Sequence, residues 1–276
     1  MTEIFHYTKC KTALENILVE KRLRLSRLGK TNDPRESQLW NIPTPYWIGA
    51  QNDHEALLGA LTIKAIDEVK RIIKEDWKVL CFTLNRSDTA ETITNPLEET
   101  YHFHLCPGYA RPQLWAHYAE NHQGVCLLFD SDRLNQSLQQ KFNGHRIIYD
   151  EVEYGTSWLA PFPRDLRNEI ENLGLDKAAW NYIVNHEHFF FLRKYLEWSN
   201  ETEYRWLIHS PGTAEEYVSI EDSIKAVFVG VDFPKVYEPS LVALCKELQI
   251  PANKLIWNNG VPETNFEIIY DPIKKN

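Results

Sequence analysis

A chain of 276 residues with a net charge of −9, 43% hydrophobic and 25% charged residues has the composition of a globular protein with room for a sizeable core. The acidic balance argues against broad, nonspecific binding to nucleic acid. With no long apolar run and no leader-like segment in the sequence, no membrane span is expected and a cytoplasmic location is.

In chain order, "IFHY" (Ile4–Tyr7) predicts a strand, and the residues after it a helix with Leu14, Ile17 and Leu18 on one side and Thr8 as a plain N-cap. Leu23–Ser26 predicts a second strand. It lies in a basic stretch, Lys9 to Lys30, that reads equally as a solvated face or as a surface for an anionic ligand. Asn32-Asp33-Pro34 predicts an Asx turn. Asp53 is expected to cap a long amphipathic helix, and Val79–Leu84 to form a core strand. A short helix follows at Pro112–His122, a strand at Val125–Asp130, a helix from Asp132 to Phe142, and one or two strands over His145–Tyr154. A long aromatic helix is predicted over Lys177–Trp198, then strands at Glu203–Ile208 and Ile224–Gly230, a helix over Pro234–Leu248 and two last strands. Strands and helices alternate without a βαβ repeat, so the fold class is α+β. One domain over 1–276, with helical insertions at about 53–77 and 165–198, is the expected organisation.

Motifs of familiar chemistry are missing. Five cysteines, odd in number and without a C-x-x-C pair, read as reduced thiols. His102, His104 and Cys106 alternate, and His186 and His188 form a second pair, but neither spacing is that of a zinc site, and no metal is expected. There is no G-x-S-x-G elbow, Walker loop or G-x-G-x-x-G run. What remains is a set of separated polar groups: His6, Tyr7 and Thr8; Asn32, Asp33 and Glu36; Thr83; Trp115 and Tyr118; and Glu201, Glu203 and Arg205. On a strand the last three share a face. Singly, each has a structural explanation: a cap, a turn, an ion pair at a sheet edge.

Taken together, "FHYTKCKTALENILVEKRLRLSRLGKTNDPRE", "VLCFTLN", "LWAHYAENHQGVCLLFD", "LEWSNETEYRW" and "IKAVFVG" resemble, in the same order, the blocks of prokaryotic domain-of-unknown-function family 2971. More distantly, the layout resembles the ADP-ribosyltransferase superfamily, in particular its DNA- and RNA-modifying branches. That likeness implies a split-sheet core of mixed, mostly antiparallel strands. It also implies NAD as cosubstrate, and a nucleic-acid or protein acceptor, with a bacterial defence or toxin role. By position, His6 would match the residue ending the first strand, Thr83 the middle strand and Glu203 the catalytic glutamate, with Glu201 the acid before it. The superfamily's middle strand carries Ser-x-Ser where this chain has Cys81-Phe82-Thr83, which leaves Tyr118 or Tyr7 as alternatives for that role.

The chemistry implied is coherent. Cleaving the nicotinamide–ribose bond develops oxocarbenium charge, which a carboxylate such as Glu203 stabilises. His6 would hold the ribose, and Glu201 would orient the acceptor or take its proton. Tyr7, Thr8, Thr83, Trp115 and Tyr118 would contact the nucleotide, and Arg24 or Arg27 the pyrophosphate, with Asn32, Asp33 and Arg205 as support. Two other readings stand beside this one. The first is a non-catalytic nucleotide- or nucleic-acid-sensing module. The second is a nuclease-like enzyme built on Asp33, Glu36 and Glu201.

Overall fold

The computed structural model describes residues 2–38, 41–43, 52–87, 105–156, 159–258, 261–262 and 266–273; His102 and His104 lie outside them. The fold is α+β. A ten-stranded sheet is antiparallel except where Ile224–Val229 runs parallel to Ala252–Lys254. Across it lie Glu216–Ser219, Arg22–Arg27, Trp77–Leu84, Glu3–Thr8, Val125–Asp130, Ile224–Val229, Ala252–Lys254 and Glu267–Tyr270. Glu203–His209 pairs with Trp77–Leu84 along its whole length and carries Ile147–Glu151 on its outer side.

Period-two alternation sorts the side chains into two cores. Leu80, Phe82, Trp206 and Ile208 meet Leu14, Leu18, Leu134, Leu138 and Leu241 from helices on one face. Trp77, Val79 and Leu207 meet Ile66, Val69, Ile183, Phe190 and Phe191 on the other. Glu203 and Arg205 belong to the same alternation set as Leu207. Their face is therefore apolar at one end, under the helices, and charged at the other.

The strand Trp77–Leu84 is where the sheet forks. On the edge away from Glu203–His209, Arg27 and Ser26 pair with Lys78 and Val79, while Ile4 and Phe5 pair with Leu84 and Thr83. Between these two pairings, residues 80–82 have no strand beside them on that edge. The first strand leaves to pair with Val125–Asp130, from Glu3↔Asp130 to Thr8↔Val125. A gap in the sheet results, and backbone groups within it need other partners.

Local expectations are corrected at three helices. Thr8 is drawn into the ladder opposite Val125, so Lys9 is the N-cap of the helix that runs through Cys10–Thr12, Ala13–Ile17 and Leu18–Glu20. Its first free N–H, on Cys10, is satisfied from far along the chain by the Glu120 carboxylate at 3.0 Å. Asn52, not Asp53, caps the helix Asp53–Arg71, its side chain accepting from the Glu55 N–H at 2.9 Å. The segment read as one helix over Lys177–Trp198 is several elements: helices Leu175–Asn185 and Glu187–Phe191, the strand Arg193–Tyr195 and the 3₁₀ turn Leu196–Glu201. Its aromatic spacing is continuous, but parallel pairing of Arg193–Tyr195 with Glu153–Gly155 overrides it.

Candidate functional site

A half-open cleft lies at the fork in the sheet. Each element nearby supplies side chains for a stated reason. The departing first strand brings Phe5, His6 and Tyr7, and the central strand brings Cys81, Phe82 and Thr83. The short helix Pro112–Tyr118 contributes Leu114 and Tyr118. The segment after the helical lobe contributes Lys194, Glu201, Glu203 and Arg205, and the turn before Pro34–Ser37 contributes Asn32.

His6 closes the gap. Its Nδ1 donates to the Cys81 carbonyl at 3.0 Å, on the edge that has no neighbouring strand. Burial holds the imidazole below its ordinary pKa, outweighing that hydrogen bond. The ring is then neutral at pH 7, with Nδ1 as donor and Nε2 left as an acceptor.

The floor is a buried network of ions. Arg205 grips Glu203 with Nε at 2.6 Å and Nη2 at 3.0 Å, and its Nη1 meets Glu36 Oε1 and the Phe191 carbonyl. Lys194 Nζ stands between Glu201 at 2.7 Å and Glu203 at 2.8 Å. Tyr118 donates to Glu201 Oε1 at 2.5 Å and accepts from Asn32 Nδ2 at 3.0 Å. The Glu203 N–H donates to the Tyr154 hydroxyl at 2.8 Å, and Thr83 Oγ1 donates to the Glu201 carbonyl. Lys194, Glu203 and Arg205 are all buried, as are Glu36 and Glu201.

The two neighbouring glutamates are pushed in opposite directions. Burial alone would raise Glu203, but Arg205 and Lys194 outweigh it and hold the carboxyl well below the usual range. For Glu201, burial and the Glu203 charge outweigh Lys194, and its pKa is raised. Burial beside Glu201 also pushes the Tyr118 phenol upward. Glu203 is thus held as an anion, whereas its surroundings favour the neutral form of Glu201 more than water does.

Of the residues singled out from sequence, the cleft brings together His6, Tyr7, Asn32, Thr83, Tyr118, Glu201, Glu203 and Arg205. Trp115 does not line it: the indole is fully buried, donates to the Tyr109 carbonyl at 2.7 Å and packs edge-on against Tyr7. Thr8 and Asp33 are buried outside the lining, and Asp33 caps Pro34–Ser37 by accepting from the Arg35 N–H at 2.9 Å. Arg24 and Arg27 are also elsewhere: Arg24 pairs with Glu215 at 3.1 Å on the surface, and Arg27 reaches the Gly212 carbonyl at 3.4 Å. The three acids of the nuclease-like reading are separately engaged, and among the described residues no group of three His, Cys, Asp or Glu is placed to hold a metal ion.

Lys194, which holds both glutamates, was missed from sequence because it fell inside the helix expected over Lys177–Trp198. The alternation Arg193-Lys194-Tyr195 was the available signal, since on a strand the middle residue faces away from its neighbours.

A family model described as "Protein of unknown function (DUF2971)" matches residues 114–206. That span contains Tyr118, Lys194, Glu201, Glu203 and Arg205, while His6, Asn32, Glu36 and Thr83 precede it. No curated protein and no solved structure matches the chain. No helix among the described residues is long and apolar enough to cross a membrane.

Proposed function

We propose that the cleft binds the nicotinamide–ribose end of NAD and cleaves the bond between ring and sugar, passing the ADP-ribosyl group to water or to a nucleic-acid or protein acceptor. The observation that carries this reading is the convergence of His6, Thr83, Tyr118, Glu201 and Glu203 on one cleft at the fork. The anomeric C–N bond breaks with its electron pair leaving on the nicotinamide nitrogen, which was cationic in NAD and leaves neutral. A bond then forms from the anomeric carbon to an acceptor oxygen or nitrogen, whose proton passes to Glu201. Positive charge on the ribose in between is met by the negative floor of the cleft. Glu203 contributes as a permanent anion, and Glu201, with its raised pKa, as the base. His6 Nε2 is an acceptor for a ribose hydroxyl.

The lining fits one end of the dinucleotide better than the other. Tyr118 and, more deeply set, Tyr7 offer aromatic surface to a pyridinium ring. For the pyrophosphate, the cationic groups of the lining, Lys194 and Arg205, are already gripping carboxylates. The phosphates would then lie beyond the cleft.

A binding module that holds such a ligand without turnover is the second reading. It is favoured by the saturation of Glu203, both of whose oxygens are engaged by Arg205 and Lys194. Incubating the protein with labelled NAD and a panel of DNA, RNA and lysate, beside Glu201→Gln and Glu203→Gln, separates the two. Nicotinamide release lost in a folded Glu201→Gln protein supports cleavage, and the labelled species names the acceptor. Saturable NAD binding without release supports the module. Neither binding nor release by the unaltered protein overturns both.

A further inference from the structure

Among the described residues the ion network does not balance. Three buried carboxylates, Glu36, Glu201 and Glu203, face two buried cations, Lys194 and Arg205. Next to them Arg35 and Asp33 add one charge of each sign and leave the excess unchanged. Glu36 also has an oxygen to spare. Its Oε1 forms an ion pair with Arg205, yet neither carboxylate oxygen has a hydrogen-bond partner among the described residues, although the residue is only 2% exposed and lines the cleft. A buried carboxylate oxygen without a donor is costly, and such a group calls for a ligand that brings one. Tyr7 and Tyr118 line the same cleft.

We infer that the cleft is a receptor for a flat organic cation carrying an N–H donor, such as an N-alkylated pyridinium carboxamide, and that this cation enters in exchange for the proton on Glu201. The inference deepens the NAD reading but concerns recognition alone. Charge decides it. With Glu201 protonated, two carboxylates balance two cations and the floor is neutral. With Glu201 ionised, the floor holds one uncompensated negative charge, which a cation in the cleft satisfies. Among the described residues, the titratable groups around Glu201 are Lys194, Glu203, Tyr118 and Tyr154 on the cleft side and His117 and Glu197 on the outer side. Of these Lys194 is the cation in contact with the Glu201 carboxylate, and it is shared with Glu203. The free N–H of a carboxamide has an acceptor in Glu36 Oε2. A ring carboxylate in the same position would meet that oxygen with like charge.

The direction of the pH dependence follows. A bound cation lowers the Glu201 pKa from its raised value in the free protein, so binding releases a proton between the two values. Affinity rises with pH through that window and is flat above it.

The test is calorimetric titration of the full chain with 1-methylnicotinamide, neutral nicotinamide and 1-methylpyridinium-3-carboxylate. It runs from about pH 5 to pH 8, in pairs of buffers of different ionisation enthalpy that count the protons released. The cationic carboxamide is expected to bind about tenfold or more tightly than nicotinamide, the equivalent of about 1.4 kcal/mol. The ring carboxylate is expected to bind no better than the neutral compound. Proton release should appear at the acid end and vanish in Glu201→Gln. Glu36→Gln keeps the shape but leaves two carboxylates facing two cations, so it should weaken 1-methylnicotinamide and 1-methylpyridinium alike and reduce the proton release. Equal affinity for cation and neutral compound, no binding of either, or cation binding without proton release at any pH would each overturn the inference. Failure of NAD cleavage leaves these outcomes readable, since none of the probes can be cleaved to ADP-ribose. Binding of 1-methylnicotinamide with no effect of added NAD would place the natural cation outside the dinucleotide.

Discussion

Two charged stretches stand out in the sequence, and the fold treats them oppositely. In Arg22–Arg27 the arginines alternate with Leu23 and Leu25. The leucines enter the core, and Arg24 is left at the surface with Glu215. In Glu203–His209 the alternation is just as regular, yet Glu203 and Arg205 point inward, on the face that carries Leu207 further along. Both faces of that strand are covered: one by the helices behind Trp206 and Ile208, the other by the lobe that contributes Phe191. Alternation tells which side chains share a face. Only the layers packed on the sheet decide whether that face is wet, and so whether an ion pair is a surface ornament or a buried constraint.

The sharpest way to break this contrast is to remove the cation that three elements share. Arg205→Met strips Glu203 of two hydrogen bonds and Glu36 of its ion pair, leaving carboxylates in a dry site. A loss of about 3–5 kcal/mol is expected in urea unfolding. Adding Glu36→Gln to that variant should restore part of the loss, because one of the stranded charges is then gone. If Arg205→Met unfolds at the wild-type urea concentration, the network is not the constraint described here.

His6→Phe probes the fork next. The ring contact with Phe82, 5.8 Å between centroids, can be kept, but the Cys81 carbonyl loses its donor at a place where no strand replaces it. About 1–3 kcal/mol should be lost, the cost of an unsatisfied buried acceptor. Leaving that stability unchanged would mean that water reaches the gap and serves the carbonyl.

The paired glutamates sharpen the comparison through pH. Glu203, whose folded pKa lies below its unfolded value, adds stability that is present above that value and lost as pH falls. Glu201, whose folded pKa is raised, does the reverse: its contribution is present below the unfolded value and lost as pH climbs through the folded one. Urea midpoints from about pH 4 to pH 7 should therefore show a component that declines with pH and disappears in Glu201→Gln. Its slope is bounded by one proton, about 1.4 kcal/mol per pH unit. A Glu201→Gln profile parallel to wild type would assign the exchangeable proton elsewhere.

How much of this was legible in the sequence follows from the range of each interaction. The core strands, the helix of about 53–77 and the α+β class are written in local periodicity, and they appear where expected. His6, Thr83, Glu201 and Glu203 were brought together only by resemblance, because nothing local says that the first strand shares one edge of Trp77–Leu84 with the second. Three roles depend in the same way on partners far along the chain. Thr8 reads as a cap until its ladder with Val125 is known. Lys194 reads as a helical surface residue until the pairing with Glu153–Gly155 is known. Glu36 reads as the end of a turn until Arg205 arrives from 169 positions further on.

Arg24 and Arg27 close the comparison from its quiet side. Serine at both positions removes one exposed ion pair with Glu215 and one long hydrogen bond to the Gly212 carbonyl. Neither residue lines the cleft. Stability should stay within the scatter of the measurement, since exposed pairs gain little over their solvated state. Binding of a pyridinium cation should be unchanged as well. The informative arm is NAD itself. If the serine variant binds 1-methylnicotinamide like the wild type but binds NAD more weakly, and the difference shrinks as salt is raised, these arginines meet the phosphates that the cleft does not hold. Equal NAD binding at all salt concentrations would leave the basic stretch as a solvated strand face, with recognition confined to the buried network at the fork.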